Sequence, residues 1–251
     1  MDLPIFKMDK AASSNNEAML LAKQKEIPEG TIVWVLNQTK GRGQGNKKWH
    51  SNPNENLTFS VLLKPSFLPM EKQFVLSKMV AVAVAKVVSC FCSDTFIKWP
   101  NDIYVKNNKI AGILIENSIQ GQKMYHSVVG IGININQENF PSEVPNPTSL
   151  CVETGQKYRL EPLIRLFQQS ILDEYEKLKK NHYQQIESYY DNLLYKKNQT
   201  VRIRYKNKEI SAFVLKVDTS GFIHLLIENK EVLFAVGEIE FLIEKTNEKD
   251  A

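Results

Sequence analysis

Gly41-Arg42-Gly43-Gln44-Gly45-Asn46-Lys47-Lys48-Trp49 follows closely on the apolar segment Ile32-Val33-Trp34-Val35-Leu36. Three glycines, three cations and an indole stand within these nine positions. Glycine lets backbone N–H groups approach an anion, Arg and Lys neutralise it, and the indole offers a flat face to a base. A loop built this way suits a nucleotide phosphate or an acyl phosphate. The same composition also makes an ordinary mobile turn, so support has to come from elsewhere in the chain.

Outward from the loop, periodicity sets the framework. Residues 15–25, with Ala18, Leu21 and Ala22 on one face, predict a helix started by the polar cluster Ser13-Ser14. Residues 57–63 read as a strand. Leu76, Met79, Val80, Ala83, Val84, Val87 and Val88 follow helical spacing and predict a buried helix over 71–92. Strands are expected at 96–99, 103–106, 110–118 and 123–135. A second long helix is expected over 161–180, with Pro162 in its first turn and a stripe of Leu163, Leu166, Phe167, Ile171, Tyr175 and Leu178. The composition shifts near Tyr195. Beyond the linker Lys196-Lys197-Asn198-Gln199, the segment Val201-Arg202-Ile203-Arg204-Tyr205 alternates strictly, and turn signals recur at 206–208, 218–221 and 228–230. Short strands at such spacing predict a small barrel. The expected division is a large domain at 1–195 and a small one at 196–251.

Composition narrows the class. A chain of 251 residues with 43% apolar residues can bury a sizeable core. Its net charge of +4 and the lack of a long basic run give no sign of a nucleic-acid tail. The apolar run 79–85 stops at Lys86, far short of a membrane span. The first residues, Met1-Asp2-Leu3-Pro4, show no secretory pattern. Cys90, Cys92 and Cys151 form neither an even framework nor a CxxC pair. These features together predict reduced thiols and a cytoplasmic protein. His50, His126, His182 and His224 share no ligand spacing.

Downstream of the glycine loop come Lys98-Trp99-Pro100-Asn101-Asp102 and Lys109-Ile110-Ala111-Gly112-Ile113-Leu114. Then follow Gly130-Ile131-Gly132-Ile133-Asn134 and, late in the chain, Gly237-Glu238-Ile239; Ser13-Ser14-Asn15 and Gln38 stand upstream. This order and spacing resembles the biotin protein ligase family across roughly residues 5 to 242. The resemblance implies an α+β fold: a mixed sheet flanked by helices, shared with class II aminoacyl-tRNA synthetases and lipoate ligases, plus an SH3-like C-terminal domain. It implies a reaction in two steps. Biotin and MgATP give biotinyl-5′-adenylate, and a lysine on the biotin carrier domain of a carboxylase then takes the biotinyl group. It also implies the monofunctional type, because only twelve residues precede Ser13, too few for the DNA-binding domain of the family's repressor members. No DNA or membrane partner is expected, and the state expected is a monomer or weak dimer.

Carried over position by position, the resemblance assigns the biotin site to Ser13, Ser14, Asn15, Gln38, Gly41, Arg42, Gly43, Lys109, Gly112 and Gly132. It assigns the ATP site to Arg42, Gln44, Trp49, Asn101, Asp102, Lys109 and Asn134. Arg42 and Lys109 are the catalytic pair, since the first step drives a carboxylate against a phosphate and cations must offset the repulsion. Asp102 is a candidate helper for deprotonating the acceptor lysine; Mg²⁺ comes with ATP, its protein ligands unassigned. Each has a structural alternative: an N-cap for Ser13-Ser14-Asn15, a turn for Asn101-Asp102, packing for Trp99 and Pro100, strand kinks for the glycines. Lipoate or octanoate transfer on the same fold, and a non-enzymatic nucleic-acid-binding regulator, are the competing functions. One departure stands out: many members carry a second Arg where this chain has Gln44, which moves the loop's charge toward Lys47 and Lys48.

Overall fold

A computed structural model describes residues 3–24, 27–45, 47–121 and 123–242. Lys25, at the end of the expected first helix, Asn46 in the glycine loop and residues 243–251 of the expected small domain lie outside the described residues.

Seven strands form the main sheet: β1 (Ile5–Ala11), β2 (Ile32–Gln38), β3 (Leu57–Leu63), β4 (Thr95–Lys98), β5 (Asp102–Val105), β6 (Asn108–Gln120) and β7 (Lys123–Ile133). Their order is β1-β2-β3-β7-β6-β5-β4. β1 runs parallel to β2 while β2 onward pair antiparallel, so the sheet is mixed as expected. β1 itself is an addition to the sequence reading. It is an edge strand whose Lys7, Asp9 and Lys10 face solvent, so its apolar signal is thin.

The apolar run in β2 reflects burial on both faces. Ile32 and Trp34 belong to the large core with helices α2 (Gln73–Ser89) and α4 (Leu160–Lys179). Val33 and Val35 join a smaller cluster with Ala18 of helix α1 (Ser14–Gln24). The helix expected over 71–92 starts with a 3₁₀ turn, Met70–Lys72, and its α-helical part ends at Ser89. It is buried nearly all round, which a one-faced stripe understates. In α4 the stripe holds except at Leu166, which is exposed; Leu160 and Ile164 lie buried beside Leu163 instead. Two short helices, α3 (Leu150–Thr154) and α5 (Tyr183–Asn192), were not anticipated. α5 buries only Ile186 and Tyr190, too few for a periodic signal.

The C-terminal strands are β8 (Thr200–Tyr205), β9 (Lys208–Val217), β10 (Ile223–Ile227), β11 (Lys230–Phe234) and β12 (Ile239–Leu242). Lys206-Asn207 and Glu228-Asn229 both take positive φ, as two-residue hairpins require. The order β11-β10-β9-β8-β12 leaves β11 and β12 as edges among the described residues. The small barrel is thus realised as an open five-stranded antiparallel sheet, consistent with an SH3-like unit. It meets the rest of the chain at two buried hydrogen bonds: Trp99 Nε1 donates to Gly221 O (2.9 Å) and Lys78 Nζ to Val217 O (2.9 Å). Burial pulls the Lys78 pKa down, opposed by its partner Glu187. All three cysteines are free, Cys90 exposed and the other two buried. No helix among the described residues is long and apolar enough to cross a membrane.

Candidate active site

A cavity of about 1110 Å³ opens between the main sheet, the glycine loop and the C-terminal strands. Its lining brings together Ser13, Ser14, Asn15, Gln38, Arg42, Gly43, Gln44, Trp49, Asn101, Asp102, Lys109, Gly112, Gly132 and Asn134. Of the residues assigned to the biotin and ATP sites, only Gly41 stays off this surface. A Cβ there would sit 2.4 Å from Trp49 O and 2.9 Å from Gln38 Nε2, so Gly41 makes room for the loop to close on its own stem.

The first wall is polar and cross-linked. Ser13, Ser14 and Asn15 stand at the start of α1 and are buried. Gln38 Oε1 accepts from Ser14 N (2.8 Å), and Ser60 Oγ donates to Asn15 Oδ1 (2.6 Å) and also hydrogen-bonds Ser14 Oγ (2.8 Å). Asn15 Nδ2 donates to Leu114 O (3.3 Å) and Glu116 Oε2 (2.7 Å). Both amide hydrogens of Asn15 are therefore already engaged, and Oδ1, which accepts from Ser60, keeps one lone pair to meet a ligand donor.

The glycine loop forms the second wall. Trp49 N donates to Gly41 O (3.0 Å) and Gly43 N to Lys47 O (2.7 Å), which folds the loop back as a narrow turn. Arg42 does not stand free: its Nη2 lies 2.8 Å from Glu116 Oε2 and 2.9 Å from Asn16 Oδ1. The Trp49 indole lies over paired Gly112 and Gly132. A Cβ on Gly132 would fall 2.3 Å from that ring, so the close approach these glycines permit is taken by tryptophan. Trp49 Nε1 is buried without a partner, as is Asn134 Oδ1. Each is a polar atom at the cavity with hydrogen-bonding capacity to offer a ligand.

The third group is charged. Lys109 Nζ pairs with Asp102 Oδ1 at 2.6 Å, across strands β6 and β5. Asn101 keeps its turn tied to β6, donating from Nδ2 to Ile113 O (2.5 Å) and accepting from Ile113 N (3.0 Å). Trp99 is buried in the core and also borders the cavity. Lys98 lines the same cavity between the rings of Tyr104 (5.1 Å) and Phe241 (5.6 Å). Burial lowers its pKa; Asp102 opposes this and the Lys109 and Lys47 charges add to it. Gly237, Glu238 and Ile239 line the far side, so the late motif does reach the cavity.

Two contributors escaped the sequence reading, Ser60 and Glu116, and Gly130, quoted there only within its motif, has a spacing role. A Cβ on Gly130 would stand 2.1 Å from Asn15 Oδ1. Glu116 could have been found, since Gly112, Leu114 and Glu116 alternate onto one face of β6. Ser60 could not, because its partners are 45 and 46 residues away.

The Biotin/lipoate A/B protein ligase family matches residues 10–134. The bifunctional ligase/repressor BirA of Bacillus subtilis is 37% identical over 153 residues, covering 59% of this chain and 46% of that protein. A biotin–[acetyl-CoA-carboxylase] ligase of Mycobacterium tuberculosis is 29% identical over 146 residues, 56% of this chain and 52% of that one. The chain thus spans about half the length of the curated relatives it matches. The solved structure of a biotin protein ligase from Aquifex aeolicus in complex with biotin and ATP superposes with a TM-score of 0.80 at 23% identity, covering 96% of this chain and 99% of that chain, a likeness of fold. Motif order, mixed-sheet fold and sequence match converge, and the chain belongs to the biotin/lipoate A/B protein ligase family.

Proposed function

We propose that this protein activates biotin with MgATP as biotinyl-5′-adenylate and transfers the biotinyl group to a lysine on the biotin carrier domain of a carboxylase. The observation that carries the reading is the meeting, in one cavity, of the Ser14–Gln38–Asn15 wall, the Arg42 loop and the Lys109–Asp102 pair. The buried wall suits a neutral ring with N–H and C=O groups, which need polar partners once desolvated. The names of the relatives, biotin ligases among them, support the same substrate.

In the first step the biotin carboxylate, already ionised at neutral pH, attacks the α-phosphate and pyrophosphate leaves. Lys109 bridges the two anions, and Arg42 exchanges its carboxylate partner for phosphate oxygens. Trp49, Asn101, Asp102 and Asn134 take the adenosine side, with Gln44 at the loop tip. Magnesium enters as part of the nucleotide substrate, held chiefly by phosphate oxygens. In the second step the acceptor ammonium, with a pKa of about 10.4, must lose a proton before it attacks the acyl carbon and AMP leaves. Asp102 is the carboxylate at hand. Residues 1–195 would carry this chemistry and 196–251 would flank the cavity mouth, a division supported by the separate hydrogen-bond ladders of the two sheets. The cytoplasm, where carboxylases and ATP coexist, is the proposed compartment.

Lipoate is the alternative acid, since the family includes its ligases. The test is incubation of the protein with MgATP and biotin, lipoate or neither, following pyrophosphate release and the mass of an added biotin carrier domain. Biotin-dependent release with addition of one biotinyl group is expected; release with lipoate alone overturns the assignment.

A further inference from the structure

Glu116 lies outside every group assigned above, yet one of its oxygens holds the two walls of the cavity together. Oε2 accepts from Asn15 Nδ2 at 2.7 Å and from Arg42 Nη2 at 2.8 Å. Asn15 is itself immobilised: its Oδ1 takes the Ser60 hydroxyl, its second amide hydrogen goes to Leu114 O, and Gly130 leaves the space in which it sits. The chain of contacts therefore runs one way. The sheet fixes Asn15, Asn15 fixes the carboxylate, and the carboxylate fixes a guanidinium on an otherwise exposed loop.

We infer that Glu116 is a positioning residue for Arg42, a stationary anion that parks the guanidinium at the cavity mouth until the nucleotide's phosphates take it over. Glu116 itself sits on β6, paired at Val128 of β7, so it does not travel with the loop. Arg42 has no other carboxylate within salt-bridge reach among the described residues. Its remaining anchor is the neutral Asn16 Oδ1 at 2.9 Å. An exposed ion pair of this kind is weak enough to be exchanged for a polyanion, yet holds the side chain in one region meanwhile. Prepaying that ordering lowers the cost of nucleotide binding; in the biotin wall, Asn15 keeps its bonds to Ser60 and Leu114, and an amide at position 116 still offers Asn15 an oxygen acceptor.

This inference rests on the ligase reading for its kinetic arm only. Glu116→Gln keeps the size and removes the charge. Without ligand, trypsin should cut after Arg42, Lys47 and Lys48 about three to ten times faster in Glu116→Gln than in the natural protein. In pyrophosphate release, its KM for ATP should rise about five- to tenfold while kcat and the KM for biotin stay within about twofold. In an Arg42→Ala background, the same change should add less than about twofold, because the residue through which Glu116 acts is gone. Equal cleavage rates, a rise in the biotin KM instead, or an undiminished effect without Arg42 would each overturn the inference. Absence of pyrophosphate release by the natural protein would overturn the ligase reading alone, and the proteolysis arm would still judge Glu116.

Discussion

The two walls of the cavity are built on opposite principles. The Ser13–Asn15 wall is buried, and its polar groups bond to Gln38, Ser60, Leu114 and Glu116 on three different strands. The glycine loop is largely exposed and is held by its own backbone turn, the Arg42–Glu116 pair and the seat of Trp49 on Gly112 and Gly132. A neutral ring is recognised by fixed hydrogen-bond partners, and misplacing these costs the desolvation they prepay. A phosphate is recognised by charge, which tolerates movement and gains from closure. The rigid wall should therefore respond to small steric changes, and the loop to charge and occupancy.

The largest effect should come from the cation between the walls. Lys109→Ala removes the charge proposed to bridge carboxylate and phosphate, and adenylate formation should fall about 100-fold or more. Circular dichroism should show an unchanged fold; near-normal pyrophosphate release by the folded variant would remove Lys109 from the mechanism.

Gly130→Ala tests the rigid wall. The added methyl would meet Asn15 Oδ1 at 2.1 Å, and neither Asn15 nor the strand can yield without breaking hydrogen bonds. Biotin binding, measured calorimetrically, should weaken about tenfold or more. An unchanged Kd would mean that the wall is softer than its bonding suggests.

The loop should be sensitive to occupancy instead. Biotin with ATP should slow tryptic cleavage after Arg42, Lys47 and Lys48 about fivefold, as closure withdraws these bonds from the protease. Equal rates with and without ligands would erase the contrast between the walls.

Gln44 supplies a smaller refinement. It can hydrogen-bond across the closed loop but cannot form an ion pair, so Gln44→Arg should retain biotinyl-adenylate better. Labelling of serum albumin added as a bystander should drop about two- to threefold; equal labelling would show that Lys47 and Lys48 already supply the missing charge.

The smallest effect lies away from the cavity. His224 Nδ1 is 2.5 Å from Glu231 and Nε2 is 3.0 Å from Asp218. The His224 hydrogen bond holds the Glu231 carboxyl below its usual range. Burial pushes Asp218 up, but His224 and the Phe222 and Ser220 amides outweigh it and hold that carboxyl low as well. A depressed carboxyl pKa contributes stability above the unfolded value, near pH 4, and that stability disappears as pH falls through the folded value. In His224→Gln, acid unfolding of the C-terminal sheet should begin roughly a few tenths of a pH unit higher. Coincident acid transitions, followed by near-ultraviolet circular dichroism, would show that His224 contributes nothing there.

By itself, the sequence determined the elements with strong local signals. The Val-rich helix α2, the mostly apolar β3 and the turns at Lys206-Asn207 and Glu228-Asn229 follow from periodicity and backbone chemistry that a few neighbouring residues express. The ordered motifs pointed to the cavity residues because a loop between a strand and its partner carries its chemistry in consecutive positions. Tertiary structure alone decided the rest. The solvent-facing edge strand β1 and the sparsely buried α5 express too little local pattern to be read. That Trp49 covers Gly112 and Gly132, that Arg42 is tied to Glu116, and that Ser60 anchors Asn15 are contacts between residues distant in sequence. Strand register sets these meetings, and register is a property of paired strands: Gly112 faces Gly132, and Leu114 faces Gly130, only once β6 and β7 have aligned.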